Sequence, residues 1–218
     1  MTPGGELCHA FLLHMRPYRE RSRLVELWTL EHGRVSVVGK PAVPLFQPCL
    51  ASWRGRSSLK TLTQCEQAGP PLFMEGEALI AGFYLNELLV RLLPPDESHP
   101  DLFATYAGML EHLGKREALE AALRGFERKL LAAMGYGLSF GEDSSGSPLS
   151  DDCYYRFEPG SGFMASAEGW PAKTLRAIDA ADYTLPETRR AARQIMRLAL
   201  GEHLGDKPLK SRELWMRS

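Results

Sequence analysis

The chain has 218 residues, 44% of them hydrophobic, which is enough for a substantial core. Cys8, Cys49, Cys65 and Cys153 form no C-x-x-C pair, and the histidines show no H-E-x-x-H or H-x-H spacing; a zinc ribbon, a disulfide framework and a histidine metal centre are all disfavoured. Net charge is −1, yet it is segregated: residues 1–65 hold nine Lys and Arg against four acids, residues 66–185 nine against nineteen, and residues 186–218 eight against four. Basic ends around an acidic middle give the footprint of a phosphate-backbone partner if the ends meet in space.

Short alternating runs separated by turns fill the first third of the chain. Ala10–His14 is one strand, MRPYRERSR a loop, and Leu24–Leu30 a second strand with Val25 and Leu27 on one face and Leu24, Glu26 and Trp28 on the other. Arg34–Val38, Pro48–Trp53 and Leu59–Cys65 follow, with turns at Glu31-His32-Gly33 and Arg54-Gly55-Arg56. Five short strands in under 70 residues predict a small closed barrel, because an open sheet of that size exposes its edges. The OB-fold is the expected form. In its first loop Arg16, Arg19, Arg21 and Arg23 surround Tyr18, so guanidinium groups alternate with a ring on which a base could stack; a solvated hairpin loop has the same composition.

Gln67–Phe73, with Gly69, Pro70 and Pro71, reads as a linker. Beyond it Glu75–Leu93 is the most apolar helix-length run of the chain, its polar residues confined to Asn86, Glu87 and Arg91. A helix apolar nearly all round is buried, and this one is expected to be the central helix of a helical domain. Pro94-Pro95 ends it. A second helix opens at His99-Pro100-Asp101 with Leu102, Phe103, Tyr106, Met109, Leu110 and Leu113 on its buried stripe, and a third runs from about Arg116 to Met134 with Gly135 as its C-terminal cap.

Tyr154–Phe157 and Phe163–Ala165 around Gly160-Ser161-Gly162 predict a small hairpin, Lys173–Ala180 a short helix, and Pro186 to about His203 a long one. On the last, Arg189, Arg193 and Arg197 recur every four residues with Arg190 beside them. Such a like-charged row needs an anionic neutraliser, either acidic side chains of the middle segment or phosphates. The tail GDKPLKSRELW adds Lys207, Lys210 and Arg212 in what reads as an extended turn before a short amphipathic end. The expected organisation is α+β: a five-stranded OB-fold barrel over 1–70, then a mainly helical domain over 75–218 with a small hairpin near 154–165.

No phosphate-cradling glycine loop, nucleophile elbow or acid–base cluster stands out. Gly135-Tyr136-Gly137 follows a helix rather than preceding one, Gly160-Ser161-Gly162 lacks the strand–Ser–helix context, and Asp151-Asp152 has no histidine or third carboxylate beside it. A binding module is expected rather than an enzyme. The opening MTPGGELCHAF reads as neither signal peptide nor anchor, so a cytoplasmic location is expected.

AFLLHMRPYRERSRLVELWTLEHGRVSVVGK, GEALIAGFYLNELLVRLLPPDESHPDLF, MGYGLSF and LGDKPLKSREL together resemble the bacterial RecO family of recombination mediators across nearly the whole chain. The resemblance implies an OB-fold and a helical domain, no catalysis, no cofactor and no membrane. It implies binding to single- and double-stranded DNA, annealing of complementary strands and, with RecR, help for RecA in displacing single-stranded-DNA-binding protein (SSB), at the nucleoid. Annealing requires neutralising two polyanions at once, which a broad basic face can do without any bond-making residue. By position the DNA-facing candidates are Arg16, Arg19, Arg21, Arg23, Arg34, Lys40, Arg54, Arg56 and Lys60, with Lys207, Lys210 and Arg212 in the tail. The family also takes the acidic, aromatic-ended SSB tail in an apolar groove with a basic rim, which points to Arg124, with Arg128 and Lys129 beside it.

Two departures from the family pattern bear on this. Some members hold zinc on four cysteines in the helical domain, where this chain has only Cys153, so no metal is expected. The basic, serine-containing loop usual after Gly39-Lys40 is absent, because VVGK runs straight into PAVPLFQP. A protein-interaction adaptor with weakened DNA contact is therefore the alternative reading, and an undetected hydrolase a third.

Overall fold

A computed structural model describes residues 5–115 and 119–215. Strands β1 (Cys8–Tyr18), β2 (Ser22–Thr29), β3 (Gly33–Gly39), β4 (Pro48–Arg54) and β5 (Leu59–Gln67) close into a barrel in the order β1-β2-β3-β5-β4. Every neighbouring pair is antiparallel except β3–β5. The alternation seen in the sequence fills the interior: Cys8, Ala10, Leu12, Val25, Leu27, Val35, Val37, Cys49, Ala51 and Trp53 form one buried cluster.

β1 is longer than its apolar run suggests. Met15–Tyr18, expected in a loop, continues the strand opposite Ser22–Val25, and only residues 19–21 turn. Met15 still packs against the barrel core, whereas Arg16–Tyr18 add no apolar alternation and are held as strand by pairing with β2. β5 likewise extends two residues past Cys65.

The helix α1 (Gly76–Leu92) is contacted by β1, by α2 (Pro100–Lys115) and by the C-terminal α6 (Lys210–Trp215). Ala78, Ala81, Tyr84, Leu85, Leu88 and Leu89 are buried, whereas Leu79, Phe83 and Val90 are half-buried. All six residues expected on the stripe of α2 are buried, and Phe103 and Tyr106 pack edge-on against Trp28, whose ring lies on the outer side of the barrel. The link between α1 and α2 lies along β3, where Arg34 bridges to Pro95 and Gly33 has the Glu97 carbonyl 1.9 Å from where a Cβ would stand. Only glycine allows that approach. Of the tail residues expected in an extended turn, Lys210 and Arg212 lie in α6 instead, held on α1 by Glu87, whereas Lys207 precedes the helix.

The second unit contains α3 (Leu119–Ala133), the sheet β7-β6-β8 built from β6 (Tyr154–Glu158), β7 (Gly162–Ser166) and β8 (Trp170–Pro171), then α4 (Ala172–Asp179) and α5 (Pro186–Leu204). The barrel, α1, α2 and α6 form the first unit, so the second interrupts the first in sequence. Gly135, at φ 85°, closes α3 by donating to the Ala132 carbonyl while Tyr136 donates to Leu131. The expected start of this helix at Arg116 lies outside the described residues.

Candidate nucleic-acid interface

One lateral row of paired residues runs through all five barrel strands: Arg16 opposite Leu24, Leu24 opposite Val38, Val38 opposite Thr61, and Thr61 opposite Arg54. Paired residues point to the same side of a sheet, so these side chains share the outer face. Arg16 and Arg54 are exposed at its two ends, with half-buried Leu24 and Val38 between them. Arg23 is paired with both Pro17 and Gly39, which places it beside the end of β3, where exposed Lys40 follows. Arg19 and Arg21 occupy the β1–β2 turn, and Arg56 occupies the turn after β4. Arg16, Arg19, Arg21, Arg23, Lys40, Arg54 and Arg56 thus border one band of the barrel wall, all of them exposed.

The turn is held in a particular conformation. Arg19 has φ 53°, a left-handed backbone that a branched-off Cβ disfavours, and its guanidinium lies 5.3 Å from the centre of the Tyr18 ring. One face of that ring is therefore covered by a cation.

Two of the barrel candidates are engaged internally. Arg34 donates through Nη1 to Glu26 Oε2 at 2.7 Å and through Nε to the Leu93 carbonyl at 3.1 Å, while Ser36 Oγ donates to the other Glu26 oxygen at 2.7 Å. Lys60 is buried, its Nζ 3.0 Å from Asp96 Oδ1. Residue type and spacing do not distinguish these cations from the exposed ones. For Arg34 strand register does, because Glu26 and Ser36 are paired across β2 and β3, with Arg34 two residues before Ser36 on the same face; for Lys60 the distinguishing acid is Asp96 in the link between α1 and α2.

In the tail, Lys210 and Arg212 lie on α6 within the barrel's unit, and exposed Lys207 ends the second unit. Glu87 accepts from the Lys210 and Ser211 backbone N–H groups, both at 2.9 Å, and from Ser211 Oγ at 2.7 Å. Burial pushes the Glu87 carboxyl up, but the Ser211 and Lys210 donors together outweigh it and hold the group below its ordinary value, helped by Arg91.

In the second unit, Arg124 is buried and paired with fully buried Glu127 at 2.8 Å. Arg128 donates to the Ile178 carbonyl at 2.9 Å and to Asp179 Oδ1 at 2.8 Å, and its guanidinium lies over Phe140. Lys129 is the exposed one of the three. The sequence left open what neutralises the α5 arginines; part of the answer is Glu120, which lies 3.8 Å from Arg189 and accepts from Arg193 at 2.5 and 3.1 Å.

The family model described as Recombination protein O N terminal matches residues 6–71, and that described as Recombination protein O C terminal matches residues 75–213. The chain belongs to the RecO family. It is 42% identical to the DNA repair protein RecO of Methylococcus capsulatus, over 97% of this chain and 93% of that protein. It is 43% identical to that of Nitrosospira multiformis (94% and 92% covered) and 40% identical to that of Haemophilus influenzae (97% and 96%).

Membership of RecO gives the chain a place among DNA repair and recombination proteins, on a barrel-plus-helices α+β architecture. Two of the segments that carried the resemblance, YLNELL and KPLKSREL, meet each other in space: Glu87 of the first binds the Lys210 and Ser211 amides of the second. Among the described residues no helix is long and apolar enough to cross a membrane.

Proposed function

We propose that this protein is a recombination mediator that binds single- and double-stranded DNA and anneals complementary strands. With RecR it promotes RecA loading onto SSB-coated single strands, in the cytoplasm at the nucleoid and without a catalytic step of its own. The observation carrying this reading is the row from Arg16 to Arg54, bordered by Arg19, Arg21, Arg23, Lys40 and Arg56, all exposed on one band of the barrel. A curved band of cations separated by half-buried apolar residues suits a flexible strand, since it neutralises phosphates and gives bases a surface to lie on. Lys210 and Arg212, fixed in the same unit by Glu87, add to its positive charge, and Lys207 precedes them. The SSB tail is assigned to the second unit around Lys129 and Arg128, with Arg124 holding Glu127 in place beneath them.

The pairing of Arg34 and Lys60 within the protein favours a second reading, an adaptor for RecR and the SSB tail with weakened DNA contact. An annealing assay with complementary oligonucleotides, bare and SSB-coated, separates the two. The mediator accelerates pairing in both cases, with strand affinity falling steeply as salt rises; an adaptor binds SSB tail peptide and leaves pairing rates at the uncatalysed value. Arg19→Ala with Arg21→Ala lowers strand affinity and leaves tail-peptide binding intact; equal loss of both overturns the assignment of these arginines.

A further inference from the structure

The arginine row of α5 is not used by the barrel reading. Between Glu187 and Glu202 this helix carries four arginines and no acid. Arg189 is half-buried and donates to the Tyr183 and Thr184 carbonyls at 2.5 and 2.9 Å, so it secures the chain entering the helix. Arg190, Arg193 and Arg197 are exposed. At about 100° and 1.5 Å per residue they fall within roughly 60° of one another, spread over about 10 Å of axis. Ala191, Ala192, Ile195, Met196, Ala199 and Leu200 bury the opposite side, so the arginine stripe faces solvent.

Among the described residues neither Arg190 nor Arg197 makes an ion pair. Arg193 is held by Glu120, yet 66% of its side chain remains in water, and the same carboxylate also lies near Arg189. Glu120 is itself half-buried, 30% exposed, and a phosphate arriving at the exposed Arg193 guanidinium can take its place because it offers the same fork-shaped recognition with more acceptor oxygens. The stripe is interleaved with Gln194 and Gly201, with exposed Leu198 at its margin, so the residues of the stripe itself contribute no aromatic ring. It is suited to a sugar–phosphate backbone rather than to bases.

We propose that Arg190, Arg193 and Arg197 form a second DNA-phosphate track, located in the second unit, with Glu120 occupying it as an internal anion that the backbone displaces. The inference rests on the DNA-binding reading above. Its test is the salt dependence of affinity for a fluorescent single-stranded oligonucleotide, measured for the full chain and its variants.

Arg190→Ala with Arg197→Ala lowers the log–log salt slope by about 1.4 and weakens binding roughly tenfold near 0.1 M salt. Arg190→Lys with Arg197→Lys restores most of both. Glu120→Gln raises the slope by about 0.7 and tightens binding several-fold, with melting curves run alongside to register any loss at Arg189. If the wild-type chain binds no oligonucleotide, the DNA-binding reading itself fails. If it binds with a steep slope and the double alanine variant matches it, only the α5 track is overturned. Looser binding by a normally melting Glu120→Gln removes the internal-anion role, and arginine-dependent binding of poly-glutamate with unchanged oligonucleotide binding reassigns the stripe to an acidic protein partner.

Discussion

Asn86 Nδ2 donates to the Leu13 carbonyl at 2.8 Å, joining the middle of α1 to the point where β1 slips register between Leu12 and His14. A bulge takes a carbonyl out of the ladder, and Asn86 supplies the replacement donor. Tyr106 then donates to Asn86 Oδ1 at 2.5 Å, with burial pushing its phenol up so that it stays protonated. Barrel, α1 and α2 are thereby tied by two buried hydrogen bonds. Asn86→Leu strands both partners and lowers unfolding free energy in urea by about 2–4 kcal/mol, while Tyr106→Phe costs about 1–2 kcal/mol. A leucine variant within 0.5 kcal/mol of wild type, by the same roughly ±0.5 kcal/mol resolution of such comparisons, would show that the relay contributes nothing.

The hold of Glu87 on α6 has a definite pH dependence. The folded-state carboxyl lies below its ordinary value, so its contribution is fully present above the ordinary carboxylate range and is lost as pH falls through the lowered value. Hydrogen exchange at the Lys210 and Ser211 amides therefore accelerates, relative to intrinsic rates, as the solution is acidified past that range. Glu87→Gln gives the accelerated exchange already at neutral pH; unchanged protection in this variant would remove the carboxylate from the docking of α6.

Arg19 combines a DNA-facing charge with a backbone that glycine adopts more easily. Arg19→Gly raises unfolding free energy by about 0.5–1 kcal/mol, the relief of the left-handed penalty less the lost contact with Tyr18. The same substitution weakens oligonucleotide binding several-fold. Stability and affinity moving in the same direction would contradict the reading of this turn as a strained binding element.

Arg34 and Lys60 separate structural cations from binding ones. Lys60→Ala and Arg34→Ala leave the salt slope of strand binding unchanged, where Arg21→Ala lowers it by about 0.7. Asp96→Ala leaves the buried Lys60 ammonium without its carboxylate and costs about 1–2 kcal/mol by thermal melting, reduced from a fully buried pair because Asp96 is 58% exposed. A changed slope for either alanine variant would return that cation to the DNA surface.

How far the sequence could be read follows from where its signal is generated. Period-two alternation from Val25 to Leu27 and from Val35 to Val37 reflects a filled interior, so barrel and core are legible in it. The last four residues of β1 are strand because β2 pairs with them, and MRPY carries no trace of that partner. The arginines of the first loop stand out by composition, but the division of Arg34 and Lys60 from Arg16 and Arg54 depends on which acids lie across the sheet or in the α1–α2 link. The helical form of the tail depends on Glu87, 123 positions away from Lys210. Local pattern contains neither fact.

Because the second unit interrupts the first, the two pieces of the barrel's unit leave the ribosome at different times. Some ninety residues separate α2 from the segment that carries α6, so at about 5–20 residues per second the α1 surface waits roughly 5–20 s for its covering helix. During that interval the Glu87 carboxylate lacks its Lys210 and Ser211 donors and the ring of Tyr84 lacks its contact with Trp215. Translation itself thus imposes an order of assembly, in which the barrel's unit is completed last although it begins first.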